Sequence, residues 1–243
     1  LAENPLLPNR RLKELLEMMR RCHALDRRAG NRPVAREALL AGTAIHLEDG
    51  DILLPAPGDK TSATLAPAQK SNPRVTWSAV IGPEKNVVFP KAPRLALAAA
   101  MAHGLRSSGS GGLVLAFADA KASEANLAQT LAYAQHARVP LLLAVADAGN
   151  GRGPANTLNL TAIEPIARKL QLPLFPVDGE DAVAVYRVMQ ECALRARNGE
   201  GPAILWGMML VAATGKMKPA EKPLARMEKY LSVRGLLGKP KTR

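Results

Sequence analysis

Two aspartates stand where an α/β protein presents ligand-binding groups. Asp119 follows the apolar run LVLAF (113–117), between Ala118 and Ala120, and Asp147 follows LLLAV (141–145), between Ala146 and Ala148. Runs this short read as buried strands, and a parallel sheet holds its ligands at the carboxyl ends of its strands. The two carboxylates therefore mark a binding site or its shell. Arg152, in the loop AGNGRGPANTLNL (148–160), could attract an anion to the same crevice, although a solvated loop charge is the simpler reading. SSGSGG (107–112) looks like a phosphate loop, but it precedes a strand instead of following one and opening a helix, so the dinucleotide fingerprint does not apply. The histidines, His23, His46, His103 and His136, are scattered, and His103 reads as a hydrogen-bonded structural residue within a helix.

The elements that must position these groups follow from periodicity. Between the two strand runs, Leu127, Leu131, Ala134 and Ala137 recur at helical spacing, and Pro140 ends that helix. Strand, helix and strand make a βαβ unit, which implies a parallel sheet with right-handed crossovers. Upstream, Leu12, Leu15, Leu16 and Met19 form one face of a helix opening at Asn9 and ending at Arg27 and Arg28. A second helix runs from Val34 to His46, followed by a turn at 48–51 and a short strand at 52–54. Residues 55–92 form an irregular, Pro- and Ser-rich excursion with weak strands at 75–77 and 86–89, and an Ala-rich helix follows at 95–105. Downstream come a helix at 162–170 capped by Thr161, a strand at 173–177, and a helix at 182–197 capped by Asp181. A strand at 203–210 and a short helix at 224–231 complete the set. The expected division is an N-terminal helical segment (1–54), the excursion (55–92), an α/β unit (93–215) and a basic tail (216–243), all in one domain.

Composition narrows the classes. The chain has 243 residues and 47% hydrophobic content but only 3% aromatics, so the core must be aliphatic. Its net charge of +12 suits basic helix faces and a basic tail. Nucleic acid is disfavoured as a partner, because the basic residues are dispersed and no stacking aromatics lie among them. Cys22 and Cys192 form neither a disulfide framework nor a metal cluster, and they favour a reducing, cytoplasmic setting. No apolar run reaches membrane-spanning length and no secretory signal is visible. The chain starts at Leu1, which leaves its true start open.

Five segments fall in the order of one family. AREA (35–38), PRLALAAAMAHG (93–104), the central βαβ, VDGED (177–181) and RNGEGP (197–202) resemble the alpha subunit of the thiamine-diphosphate-dependent decarboxylating component of 2-oxo acid dehydrogenase complexes, the pyruvate dehydrogenase type. The resemblance implies the thiamine-diphosphate-binding fold, a parallel sheet flanked by helices. It also implies an oxidative decarboxylase working with a beta subunit, with thiamine diphosphate and magnesium as cofactors. Within it, Ala118-Asp119-Ala120 matches a G-D-G turn whose Asp ligates magnesium, and Ala148 matches an Asn that supplies a second metal oxygen. Asp119 is thus the one metal ligand kept, beside degenerate positions Ala118, Ala120 and Ala148. A Tyr-Arg pair expected near 55–58 is absent, and so is a Y-R-x-x-G-H-S stretch near 210–216, whose His works near the thiazolium. The expectation is a non-catalytic, cofactor-deficient member of the fold, acting as a homodimer or in a heterotetramer with a beta-like subunit. The alternative is a divergent thiamine-diphosphate-dependent alpha subunit.

Overall fold

Apolar runs too short for helices and uninterrupted by polar residues form strands buried on both faces. The computed structural model describes residues 7–28, 36–56, 59–65, 94–120, 127–148, 158–209 and 222–237. Five strands, β1 (Ile52–Leu54), β2 (Val114–Asp119), β3 (Leu141–Asp147), β4 (Leu174–Asp178) and β5 (Ala203–Met208), form one sheet in the order β1-β2-β3-β5-β4. Every pairing is parallel. The helices are α1 (Asn9–Arg28), α2 (Glu37–Ala44), α3 (Lys60–Ala63), α4 (Arg94–Ser107), α5 (Leu127–His136), α6 (Leu160–Leu170), α7 (Ala182–Arg197) and α8 (Pro223–Val233).

Successive strand residues face opposite sides of the sheet, so each strand feeds two cores. Leu115 and Phe117 of β2 join Leu39 and Leu40 of α2 and Val185 and Met189 of α7. Val114 and Ala116 join Ala98 and Ala102 of α4, Leu131 of α5 and Ile163 of α6. A third cluster covers α2 and α7 from outside, where Leu12, Leu16 and Met19 of α1 meet Met227 and Leu231 of α8.

The parallel sheet and its flanking helices match expectation, with local differences. The first two central strands run on to include Asp119 and Asp147, because pairing of Asp119 with Ala146 and of Asp147 with Met208 continues the ladder. The last strand stops at Met208, level with the end of β4 at Asp178. The cap of α6 is Asn159, not Thr161: Asn159 is extended and its side chain accepts from the Ala162 amide, while the Thr161 hydroxyl donates to Asn159 Oδ1 at 2.7 Å. Asp181 does cap α7, accepting from the Val183 and Ala184 amides. The weak strands at 75–77 and 86–89 lie outside the described residues.

The amino edge of the sheet is held by one buried ion pair. Asp51, whose side chain is fully buried, takes two hydrogen bonds from Arg197 at the end of α7, at 2.6 and 3.0 Å. Its oxygens also accept the Leu113 amide at 2.9 Å and the Glu48 amide at 2.8 Å. Arg197 reaches on to the carbonyls of His46 and Gly111. Burial alone would lower the pKa of Arg197, but the hydrogen bonds and charge of Asp51 outweigh it and hold the guanidinium above its ordinary value. Removing one partner leaves a buried charge uncompensated. Asp51→Ala is therefore expected to lower the unfolding free energy by about 3–5 kcal/mol, read from denaturant melts followed by circular dichroism.

His46 sits beside this pair and gives the fold a pH response. Its Nε2–H donates to the Tyr186 carbonyl at 3.0 Å, and the two rings lie 4.4 Å apart. Burial pushes its pKa down to about 4 from 6.5, opposed by the Tyr186 hydrogen bond and assisted by the charges of Arg11 and Arg197. The folded pKa lies below the unfolded one, so the native state favours the neutral ring. Its contribution is complete above pH 6.5 and is lost as pH falls towards 4. Relative to the parent, His46→Gln should flatten the acid loss of stability over that window by up to roughly 3 kcal/mol, measured as unfolding free energy against pH.

Candidate functional site

The carboxyl edge of the sheet carries Asp119 and Asp147, and the pleat separates them. Asp119 shares the parity of Leu115 and Phe117 and faces α2, whereas Asp147 shares that of Leu143 and Val145 and faces the opposite helices. The two carboxylates expected to frame one site thus lie on opposite faces of the sheet. Asp147 is only 2% exposed, and its Oδ2 accepts the indole N–H of the fully buried Trp206 at 2.9 Å. Its carbonyl accepts the Met209 amide at 2.8 Å, which extends the ladder between β3 and β5. A carboxylate enclosed in this way is part of the scaffold.

Asp119 is half exposed and meets a cation of the protein itself. Arg36 Nη1 lies 3.6 Å from Asp119 Oδ1 and 3.3 Å from Asp59 Oδ2. Arg36 directly precedes α2 at its N-cap position, without a side-chain capping bond, and its side chain is only 14% exposed. Asp59 in turn caps α3, with Oδ1 accepting the Thr61 and Ser62 amides and Oδ2 left to face Arg36. The starts of α2 and α3 therefore deliver a guanidinium to the end of β2. The Ala120 amide donates to the Ala146 carbonyl at 2.8 Å and is committed to the sheet. Ala118 is half-buried, and Ala148 is exposed after the end of β3.

At the end of β1, Arg94 from α4 donates to the carbonyls of Leu54 and Pro55. It comes to the strand end where the Tyr-Arg pair was expected from the chain itself. Behind Arg36, a polar layer is buried under α1. Asp26 accepts the Thr61 hydroxyl at 2.5 Å, and Glu37 is 2% exposed. Burial raises the pKa of Glu37, with backbone hydrogen bonds and His23 opposing. His23 lies 3.9 Å from it. Burial, then Asp26 and Glu37, push the Cys22 thiol up to about 12, and burial does the same for Cys192, so both cysteines are inert thiols at neutral pH.

His103 pairs with the Tyr133 hydroxyl at 2.9 Å on the surface, and His136 closes α5. Arg152 and the segment at 210–216 lie outside the described residues. Arg36, Asp59, Arg94 and Trp206 carry no spacing that would mark them as neighbours of the strand ends. Only the position of Arg36, directly before a buried helix, offered a hint.

Between the start of α7 and α8, a cavity of about 390 Å³ is lined by Glu180, Asp181, Arg187, Arg226, Met227 and Tyr230. Arg226 bridges Asp178 at 3.1 Å and Asp181 at 3.6 Å, so its own charge is answered at the end of β4 and the start of α7. Beside it, Gly179 of VDGED permits a close approach of backbones. A Cβ there would lie 2.6 Å from Met209 Sδ and 3.0 Å from the Gly207 backbone. Gly179→Ala should force β4 and β5 apart at their ends and cost about 1–3 kcal/mol in denaturant melts.

Among known families, residues 74–210 match the dehydrogenase E1 component. A search of curated protein sequences finds no match. Among solved structures, the chain is similar to a protein from Mycobacterium smegmatis described as a thiamin diphosphate-dependent enzyme. That similarity has 14% identity and a TM-score of 0.49, and covers 70% of this chain and 31% of the other. It is also similar to benzoylformate decarboxylase from Polynucleobacter necessarius, with 15% identity and a TM-score of 0.46, covering 78% of this chain and 34% of the other. The chain thus spans about a third of the length of either protein.

Proposed function

Because the chain belongs to the dehydrogenase E1 component family, we propose that it is a cofactor-deficient alpha-like subunit of that family, acting through oligomerisation or a beta-like partner. The observation that carries the proposal is Arg36 standing 3.6 Å from Asp119. Magnesium needs about six oxygens in near-octahedral array, and it brings its diphosphate with it. Among the described residues, this edge offers Asp119 beside the methyl groups of Ala118, Ala120 and Ala148, and Asp119 already shares the Arg36 guanidinium with Asp59. That donor set does not fit the metal. The two alanines also add bulk where the backbone would have to approach a diphosphate. The cytoplasm, with its reduced thiols, suits the buried free Cys22 and Cys192.

A second reading keeps catalysis, as a divergent thiamine-diphosphate-dependent 2-oxo acid dehydrogenase alpha subunit working with a beta chain. Family membership and Arg94, a guanidinium brought to the end of β1, favour it. Calorimetric titration of the purified chain with thiamine diphosphate and magnesium chloride separates the two. The proposal expects no saturable heat, and micromolar binding overturns it. Light scattering over a wide concentration range tests the subunit role, where a dimer is expected and a persistent monomer counts against self-association.

A further inference from the structure

The amino edge of the sheet, away from Asp119 and Asp147, holds a second cavity of about 240 Å³. Three arginines line it, Arg106 at the end of α4, Arg138 after α5 and Arg197 at the end of α7, together with Gly109, Gly111 and Gly199. Among the described residues, no carboxylate residue lies in its wall. Its volume falls below the ~300 Å³ at which drug-sized ligand pockets begin, so a small ligand suits it. We propose that this cavity binds a small phosphate-type anion, either inorganic phosphate or the phosphate monoester of a small molecule.

Charge accounting supports an anion. Arg197 is answered by Asp51 and counts as structural. Glu200, next to the cavity in sequence, is held by Arg195 at 3.0 Å. Arg106 and Arg138 have no carboxylate partner among the described residues, which leaves two positive charges uncancelled at the cavity. Helices α4, α5 and α7 all end here, and exposed carbonyls at their ends would repel an anion. Arg106 removes part of that objection, because its Nη1 donates to the carbonyls of Ala137 and Arg138 at 2.5 and 2.7 Å. Those two bonds use the two hydrogens of Nη1 and fix the guanidinium. Of its five N–H donors, three remain for a ligand. Such a pre-positioned fork suits the oxygens of a phosphate.

Arg138 adds a separate observation. Its φ is +47°, in the left-handed region that glycine or asparagine usually fills after a helix. The left-handed turn closes the end of α5, where the Val139 amide donates to the Ala134 carbonyl at 3.0 Å, and it leaves the Arg138 side chain exposed at the cavity.

The test is calorimetric titration of the intact chain with inorganic phosphate at low, matched ionic strength, beside the Arg138→Gln and Arg10→Gln variants. Arg138→Gln removes only the charge at the cavity, and Arg10, exposed on α1 and paired with Glu14, does not line it. The expected result is one saturable site in the parent and in Arg10→Gln, weakened about tenfold or more in Arg138→Gln. Equal affinity in all three proteins overturns the proposal, as does a heat that never saturates. Binding of a short oligonucleotide without binding of inorganic phosphate also overturns it, in favour of a nucleic-acid surface. Where phosphate binds as expected, competition by glycerol phosphate assigns the site to monoesters, and its absence assigns it to the free ion.

Discussion

The bidentate pair of Asp51 with Arg197 is the constraint on which the rest of the sheet depends. β1 has three residues and pairs only with β2, which is too little hydrogen bonding to hold an edge strand in register. Asp51 supplies what the strand lacks. Through its four hydrogen bonds it ties the turn after α2, the first residue of the β2 run and the end of α7 to one carboxylate. A buried ion pair of this kind returns little net energy over an apolar contact, but it admits few geometries. It supplies position, and the carboxyl edge inherits that position.

Seen from this anchor, the segments that carry the family resemblance have structural tasks. Arg197 of RNGEGP is the arginine of the pair. Gly199 and Gly201 of the same segment take φ of +76° and +105°, turning the chain from α7 into β5. In VDGED, Asp178 accepts the Glu180 amide, Gly179 lets two backbones touch, and Asp181 caps α7. Of the positions assigned to the cofactor, Ala118 and Asp119 close β2 and Ala120 and Ala148 follow the ends of β2 and β3, apart from these tasks. The residues of these two segments and those at the carboxyl ends of β2 and β3 thus carry separate tasks.

Much of the fold was legible because its signals are local: helical spacing in α1 and α7, apolar runs for β2, β3 and β5, and a cap at Asp181. The cap of α6 shows the limit of that approach. Asn159 and Thr161 are both good capping types two residues apart, and only the extended backbone at Asn159 decides between them. The facing of Asp119 and Asp147 was hidden for a related reason. Strands buried on both sides have no alternation in polarity, so parity cannot be read from residue types. Arg36 was hidden by distance, since an N-cap residue meeting a strand end more than eighty residues away leaves no periodic trace. The excursion at 55–92, the Arg152 loop and the 210–216 segment lie wholly or mostly outside the described residues.

The clasp of α1 against α8 bears on how the chain is made. The two helices come from opposite ends of the described chain, yet they share one apolar cluster and are bridged by Arg20 and Glu228 at 2.9 Å. During synthesis α1 leaves the ribosome before α8, with its oily face partly uncovered until α8 follows. A nascent chain carrying an exposed amphipathic helix while the nearly two hundred residues between α1 and α8 are made is a natural client for holding chaperones. It is also most open to proteolysis just before the last turn of helix closes over the first.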